Sequence, residues 1–183
     1  MDIFQELFGV FENRQEAGKL LSEKIGHLKG KNPVILGLPR GGVLIAHEIA
    51  RALGATLDIV VTRKLGAPDN PELAIGAITE SGMVQLNQDI IQTLNISEEY
   101  LEKEKQFQLA EVQRRVQVYR EIRERVPLQD RVVVITDDGV ATGATIKAAI
   151  LGIYEENPKM LILAVTVGAE DTLEELRKMV DEL

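Results

Sequence analysis

The segment Val132-Val133-Val134-Ile135-Thr136-Asp137-Asp138-Gly139-Val140-Ala141-Thr142-Gly143-Ala144-Thr145 constrains this chain more than any other part of it. Four β-branched aliphatics in succession fit a strand covered on both faces, the pattern of a central parallel strand. Two carboxylates follow where that strand would leave its sheet. A loop of small residues and hydroxyls comes next and runs directly into the apolar-periodic residues 146–154. Strand, acidic pair, tight loop and helix, in this order, aim backbone N–H groups and a helix N-terminus at one place. Such a place favours an anion, phosphate above all. The carboxylates cannot face that phosphate, so they must accept hydrogen bonds from vicinal hydroxyls or hold a cation. A phosphate beside a diol is a phosphorylated sugar.

Two rival motifs fail on the same residues. A Walker loop needs G-x-x-x-x-G-K-[ST], and the chain has no such run. A D-x-D-G nucleophile motif would need an acid two residues before Asp138, where Thr136 stands. A plain Asp-Gly turn would need neither a second carboxylate nor threonines on both sides of Gly143.

The segment resembles the phosphoribosyl-pyrophosphate (PRPP) signature of type I phosphoribosyltransferases: a hydrophobic strand, two acids, a short variable stretch, then Thr-Gly-x-Thr. The resemblance implies that Asp137 and Asp138 bind the ribose 2′- and 3′-hydroxyls. It implies that Ala141, Thr142, Gly143, Ala144 and Thr145 wrap the 5′-phosphate.

Composition narrows the setting. At 183 residues the chain has the length of one compact domain with a real core. With only 4% aromatic residues and no Trp, that core must be mainly aliphatic. Absent cysteine removes disulfides and thiol catalysis and suits a reducing compartment. No apolar run reaches the length of a membrane span, and the start Met1-Asp2-Ile3 lacks the basic residues of a signal peptide. The expectation is a cytoplasmic protein with no membrane partner. A net charge of −8 argues against nucleic acid. It also demands that positive charge be concentrated locally, or a metal recruited, if the ligand is a polyanion.

Along the chain, Phe4, Leu7, Phe8 and Phe11 form an aromatic cluster, expected to strap the core. Asn13 with Glu16 resembles a capping box ahead of a helix to about Gly30. Residues 33–38 fit a second buried strand, which opens on Pro39-Arg40-Gly41-Gly42 and a helix closed by Gly54. Residues 56–62 fit a third strand, followed by Arg63-Lys64 and a Gly/Pro/Asn-rich stretch with the look of a mobile loop. Residues 74–79 and 83–86 suggest a hairpin around Glu80-Ser81-Gly82. Asn87 and Ser97 stand as N-caps of a short helix and a long one, the latter running to Arg125, about 40 Å at ~1.5 Å per residue. Its apolar stripe (Leu109, Val112, Val116, Tyr119) is narrow and needs a partner, either this chain's own body or a second copy. A strand at 160–167 and an acidic helix from Asp171 or Thr172 complete the chain. His47 is expected to be a surface or packed residue.

These alternations predict an α/β fold: a three-layer sandwich with a mainly parallel sheet, in one domain over 1–183, with a helical insertion over 87–126. Ligands of such sheets sit outside the strand C-termini. Leu-Pro-Arg-Gly-Gly, Arg-Lys-Leu-Gly-Ala-Pro and Asp-Asp-Gly-x-Ala-Thr-Gly make the chain most similar to an uncharacterised bacterial group of phosphoribosyltransferases. That resemblance implies a pyrophosphate loop at Arg40, Gly41 and Gly42, joined by Arg63 and Lys64. It implies Mg²⁺, bound to PRPP and reached by Asp137 and Asp138 through water. The implied activity moves 5-phosphoribosyl to a nitrogenous base, with release of pyrophosphate, in a homodimer. A non-catalytic PRPP- or nucleotide-binding regulatory module is the alternative on the same fold. Ala141 stands where 6-oxopurine enzymes carry an Asp, so that base specificity is not expected. Members of the group continue past the last helix with a further strand and a tail, so the end at Leu183 bears on acceptor binding.

Overall fold

The computed structural model describes residues 11–183. Of the expected aromatic strap, Phe4, Leu7 and Phe8 therefore lie outside the described residues. The chain divides into two compact units: one takes residues up to Ile59, Val126–Thr142 and Glu156–Leu183, the other Val60–Arg125 and Gly143–Glu155.

The first unit is built on a four-stranded, wholly parallel sheet. Its strands are β1 (Val34–Gly37), β2 (Thr56–Ile59), β6 (Val132–Asp137) and β7 (Met160–Val165), in the order β2-β1-β6-β7. The aliphatic runs behave as their composition demands. Val34, Ile35, Val133, Val134 and Ile135 have no exposure, since a parallel strand in mid-sheet is covered from both sides. Helix α2 (Gly41–Leu53) packs on β1, β2 and β6, and α1 (Arg14–Lys24) packs on α2. Ile25, Leu28, Ile45, Ile49 and Leu53 close an aliphatic core over Ile35, Val134 and Ile162. Local chemistry sets the helix ends. Asn13 Oδ1 accepts the Glu16 N–H at 3.0 Å, and Gly54 closes α2 at φ 64°. Buried Asp58 receives the Val126 N–H at 2.9 Å, which pins the chain where it re-enters this unit. After α6 (Glu170–Arg177), Asp181 and Glu182 run along the outer edge of β7, with a parallel bridge between Ile162 and Glu182.

The second unit holds an antiparallel sheet of β3 (Thr62–Ala67), β4 (Asn70–Thr79) and β5 (Val84–Leu86). It also holds α3 (Gln88–Thr93), α4 (Glu98–Arg120) and α5 (Ala144–Tyr154). The expected hairpin around Glu80-Ser81-Gly82 is present. Asn87 and Ser97 cap α3 and α4 by accepting the Ile90 and Tyr100 N–H groups, each at 3.2 Å.

Three expectations change here. The single strand at 56–62 is two strands, since β2 ends at Ile59 and β3 begins at Thr62 in the antiparallel sheet. Arg63 and Lys64 consequently lie within β3, and the stretch beyond them is a hairpin rather than a loop. Helix α4 ends at Arg120, five residues early. Beyond that end the chain turns so that Arg125 joins Arg120 at the buried Glu80 carboxylate, at 3.4 and 3.8 Å. The stripe on α4 finds its partner inside its own unit: Val112 is fully buried as α4 packs on β3 and β4. Val112→Ala should therefore lower stability by about 1–2 kcal/mol with no change in mass on light scattering. A change of mass at unchanged urea midpoint would return the stripe to an intermolecular surface.

Candidate functional site

The end of β6 carries Asp137 and Asp138, and in the first unit the start of α2 is pressed against them. A Cβ at Gly42 would stand 2.6 Å from the Thr136 carbonyl and 2.9 Å from Asp137 Cα. A Cβ at Gly41 would collide with the Asp138 carboxylate. Glycine is required at position 42, where the close atoms are backbone, whatever its own φ; at position 41 a side chain would instead have to displace the Asp138 carboxylate and Arg14. Leu38 N–H donates to the Thr136 carbonyl at 3.0 Å, so the β1–β6 ladder continues to the loop itself. The loop 40–42 and the acidic pair thus form one surface. The Pro39–Arg40 peptide is cis, and Arg40 is exposed.

Arg14 joins this surface and was not singled out in the sequence. Its Nε and Nη2 both reach Asp138 Oδ2, at 2.8 and 2.7 Å. Asp137 Oδ1 accepts the Asp138 N–H at 2.8 Å. Burial, reinforced by the neighbouring Asp138 charge, pushes the Asp137 carboxyl up to about 7, against the opposing pull of that N–H and of Arg14. The two acids are therefore unequal: one is paired with a guanidinium, the other holds a proton near neutrality.

The residues after Asp138 are fastened to the segment beyond β7. Thr166 Oγ1 donates to the Asp138 carbonyl at 2.6 Å, Thr172 Oγ1 donates to the Ala141 carbonyl at 3.0 Å, and Val140 N–H donates to the Val167 carbonyl at 2.9 Å. Thr166 gave no signal in the sequence, because a hydroxyl near a strand end is common, and Thr172 was read only as a possible start of the last helix. Ala141 and Thr142 are exposed, and Gly143 takes φ 72° as the N-cap of α5. Ala144 and Thr145 form the first turn of that helix. Among the described residues no side chain caps α5, and none caps α2. Their first N–H groups are left for a ligand or for water. Helices α1, α3 and α4 are capped by Asn13, Asn87 and Ser97, while α6, which starts after Ala169, also has no side-chain cap.

In the second unit, Arg63 Nε donates to Gln108 Oε1 at 2.7 Å, and Lys64 Nζ meets Glu72 at 2.9 Å. Both cations face a polar cavity of about 350 Å³ between the β3–β4 hairpin and α4. His47 is exposed on α2, as expected.

In this α/β unit the uncapped start of α2 is thus packed on a pair of carboxylates. The phosphoribosyl transferase domain model matches residues 11–183, and the chain belongs to that family. Two proteins of Mycobacterium tuberculosis, from strains CDC 1551/Oshkosh and ATCC 25618/H37Rv, are each 42% identical over 174 residues, or 95% of this chain. Both are provisionally named as phosphoribosyl transferases. The chain spans 39% of the length of these curated relatives. The crystal structure of TT1426 from Thermus thermophilus is 40% identical and superposes with a TM-score of 0.78, covering 94% of this chain and 82% of that one. No described helix is long and apolar enough to cross a membrane.

Proposed function

We propose that this chain binds PRPP and transfers its 5-phosphoribosyl group to a nitrogenous base or related acceptor, with release of pyrophosphate. The observation that carries the reading is the seating of loop 40–42 on Asp137 and Asp138. It sets a candidate pyrophosphate loop against a candidate acceptor of ribose hydroxyls, so one ligand bearing both groups fits where neither group alone would use the whole surface. In the reaction, the C1–O bond to pyrophosphate breaks and its electron pair leaves with pyrophosphate. The acceptor nitrogen supplies the pair for the new C1–N bond, and its proton passes to water.

The protein's part is positioning and charge. Asp138, anchored by Arg14, and Asp137 take the ribose hydroxyls. The exposed Ala141–Thr142 turn and the uncapped start of α5 take the 5′-phosphate. Arg40 and the N–H groups at Gly41 and Gly42 take the leaving group. Mg²⁺ fits the donor set as an indirect guest. Among the described residues no three acidic or histidine side chains gather to hold a metal, and Arg14 already compensates Asp138. A hard cation that keeps its waters suits oxygens of the ligand, with the acids reached through water. When bound, it neutralises the departing pyrophosphate. A cytoplasmic homodimer belongs to the same proposal, on the pairing common in the family the chain resembles, and light scattering checks the dimer.

A thermal-shift screen tests the function: PRPP with Mg²⁺ should raise the melting temperature, and a base with PRPP should release pyrophosphate. Arg40→Ala should weaken PRPP by about 1.5–3 kcal/mol, the range for a lost charged hydrogen bond, while ribose 5-phosphate affinity holds. Equal weakening of both ligands would make Arg40 structural. Binding of PRPP without pyrophosphate release for any base would favour the regulatory module.

A further inference from the structure

Helix α4 faces β3 with a polar row, which is unusual for the buried side of a surface helix. Tyr100, Glu104 and Gln108 stand four residues apart, one above another on a single face. Tyr100 Oη donates to the Gly66 carbonyl at 2.9 Å, and Glu104 Oε1 accepts the Gly66 N–H at 3.1 Å. The β3–β4 register shifts on both sides of Gly66, between Leu65 and Gly66 and between Gly66 and Ala67. A bulge leaves peptide groups without their usual ladder partners, and here the helix supplies them. Burial, with the nearby Glu104 and Asp69 charges, raises the Tyr100 hydroxyl, which keeps it a donor.

The third member of the row does something different. Gln108 is 8% exposed. Its Oε1 accepts from Arg63 Nε at 2.7 Å, while its Nε2 donates to Glu104 Oε1 at 2.9 Å. Glu104, acting only as an acceptor when ionised, dictates which end of the amide turns to Arg63. The oxygen is thereby presented to the guanidinium and cannot flip away. Arg63 lines the cavity with Lys64, Arg115, Glu72 and Glu104, and its Nη1 lies 3.9 Å from the Glu111 carboxylate.

We infer that Gln108, oriented by Glu104, is a positioning residue that sets the Arg63 guanidinium for an oxyanion of the pyrophosphate class. This assignment rests on the proposed function and extends it: Arg63, which the family resemblance reads as a pyrophosphate ligand, lines a cavity made wholly of residues of the second unit. It gives the helical insertion a task beyond packing: its row of side chains holds the bulged strand and aims the cation that the strand carries. An arginine tethered at Nε loses less freedom on meeting a phosphate oxygen, so the gain lies in anion affinity rather than in stability.

The test is calorimetry of magnesium pyrophosphate and of ribose 5-phosphate with the full chain, in Gln108→Met, Arg63→Ala and the double variant. Gln108→Met should weaken pyrophosphate five- to tenfold, leave ribose 5-phosphate unchanged, and have no further effect once Arg63 is alanine. Glu104→Gln keeps an acceptor oxygen and should behave as wild type, whereas Glu104→Met should repeat the Gln108→Met loss. The Arg63 Nε–H resonance should move in both Met variants and not in Glu104→Gln. An equal loss for both ligands, or a Gln108→Met loss that persists in the Arg63→Ala background, would make the row merely structural and overturn the inference. So would unchanged pyrophosphate affinity in Gln108→Met when Arg63→Ala weakens it. If Arg63→Ala itself leaves pyrophosphate binding intact, the site reading of Arg63 fails first and this inference falls with it.

Discussion

Gly42→Ala should produce a protein that unfolds about 3 kcal/mol more easily and no longer shifts its melting temperature with PRPP. The added methyl would stand 2.6 Å from the Thr136 carbonyl and 2.9 Å from Asp137 Cα. Both are backbone atoms of a central strand, so no rotamer change relieves the contact. Overpacking of this kind costs about 1–3 kcal/mol and occasionally more. Relief would come only by lifting the start of α2 off β6, which separates loop 40–42 from the acidic pair. Stability and ligand binding should therefore fall together, as read by urea unfolding and thermal shift. A Gly42→Ala protein of unchanged stability that still binds PRPP would show that the start of α2 leaves room for a Cβ beside the Thr136 carbonyl and that loop 40–42 and the acidic pair need not form one surface.

Asp137→Asn should have the opposite effect on the ligand-free protein at high pH. The carboxyl titrates near 3.8 in an unconstrained chain and is pushed up to about 7 by burial and by the neighbouring Asp138. The folded state therefore holds this proton more tightly than the unfolded chain does. The associated stability is fully present below about pH 4 and is lost as pH rises through about 7. Asparagine imitates the protonated acid and does not titrate, so it should remove that decline. Wild type and variant should melt alike near pH 4 and diverge upward, with the variant ahead at pH 8 by a few kcal/mol; on the order of 4 is the ceiling that the shift allows. A gap that is constant from about pH 4 to about pH 8 would mean that Asp137 stays ionised throughout. The same variant should bind ribose 5-phosphate more weakly, because an amide offers one acceptor oxygen where a carboxylate offers two. A site residue that destabilises the empty protein and strengthens its complex is a familiar consequence of function drawing on stability.

Much of this molecule was legible residue by residue. The caps at Asn13, Asn87 and Ser97 each bond an N–H only three positions along, so the local sequence carries the whole interaction. The runs 34–37 and 132–135 are aliphatic because central parallel strands have no solvated face, and the structure puts them side by side. The strand–acid–loop–helix order around Asp137 was equally plain, since each part follows the last in the chain. The hairpin around Gly82 was visible for the same reason.

What the sequence concealed depends on residues brought together from far apart. Arg14 meets Asp138 across 124 positions, and Arg63 meets Gln108 across 45. Nothing in the type of an exposed-looking arginine or a helical glutamine announces such a partner. The apparent strand at 56–62 belongs to two sheets because strand pairing is decided by what lies alongside, not by β-propensity, which is high throughout it. The stripe on α4 likewise had two possible partners until packing placed Val112 against β3 and β4. Sequence alone therefore determined most of the elements, the caps at Asn13, Asn87 and Ser97 and the order of the chemical groups, all of which rest on contacts within a few residues. The tertiary structure alone decided which charges are paired and which acid keeps its proton. It also decided which helix face is covered, because burial and long-range contact exist only once the chain has folded.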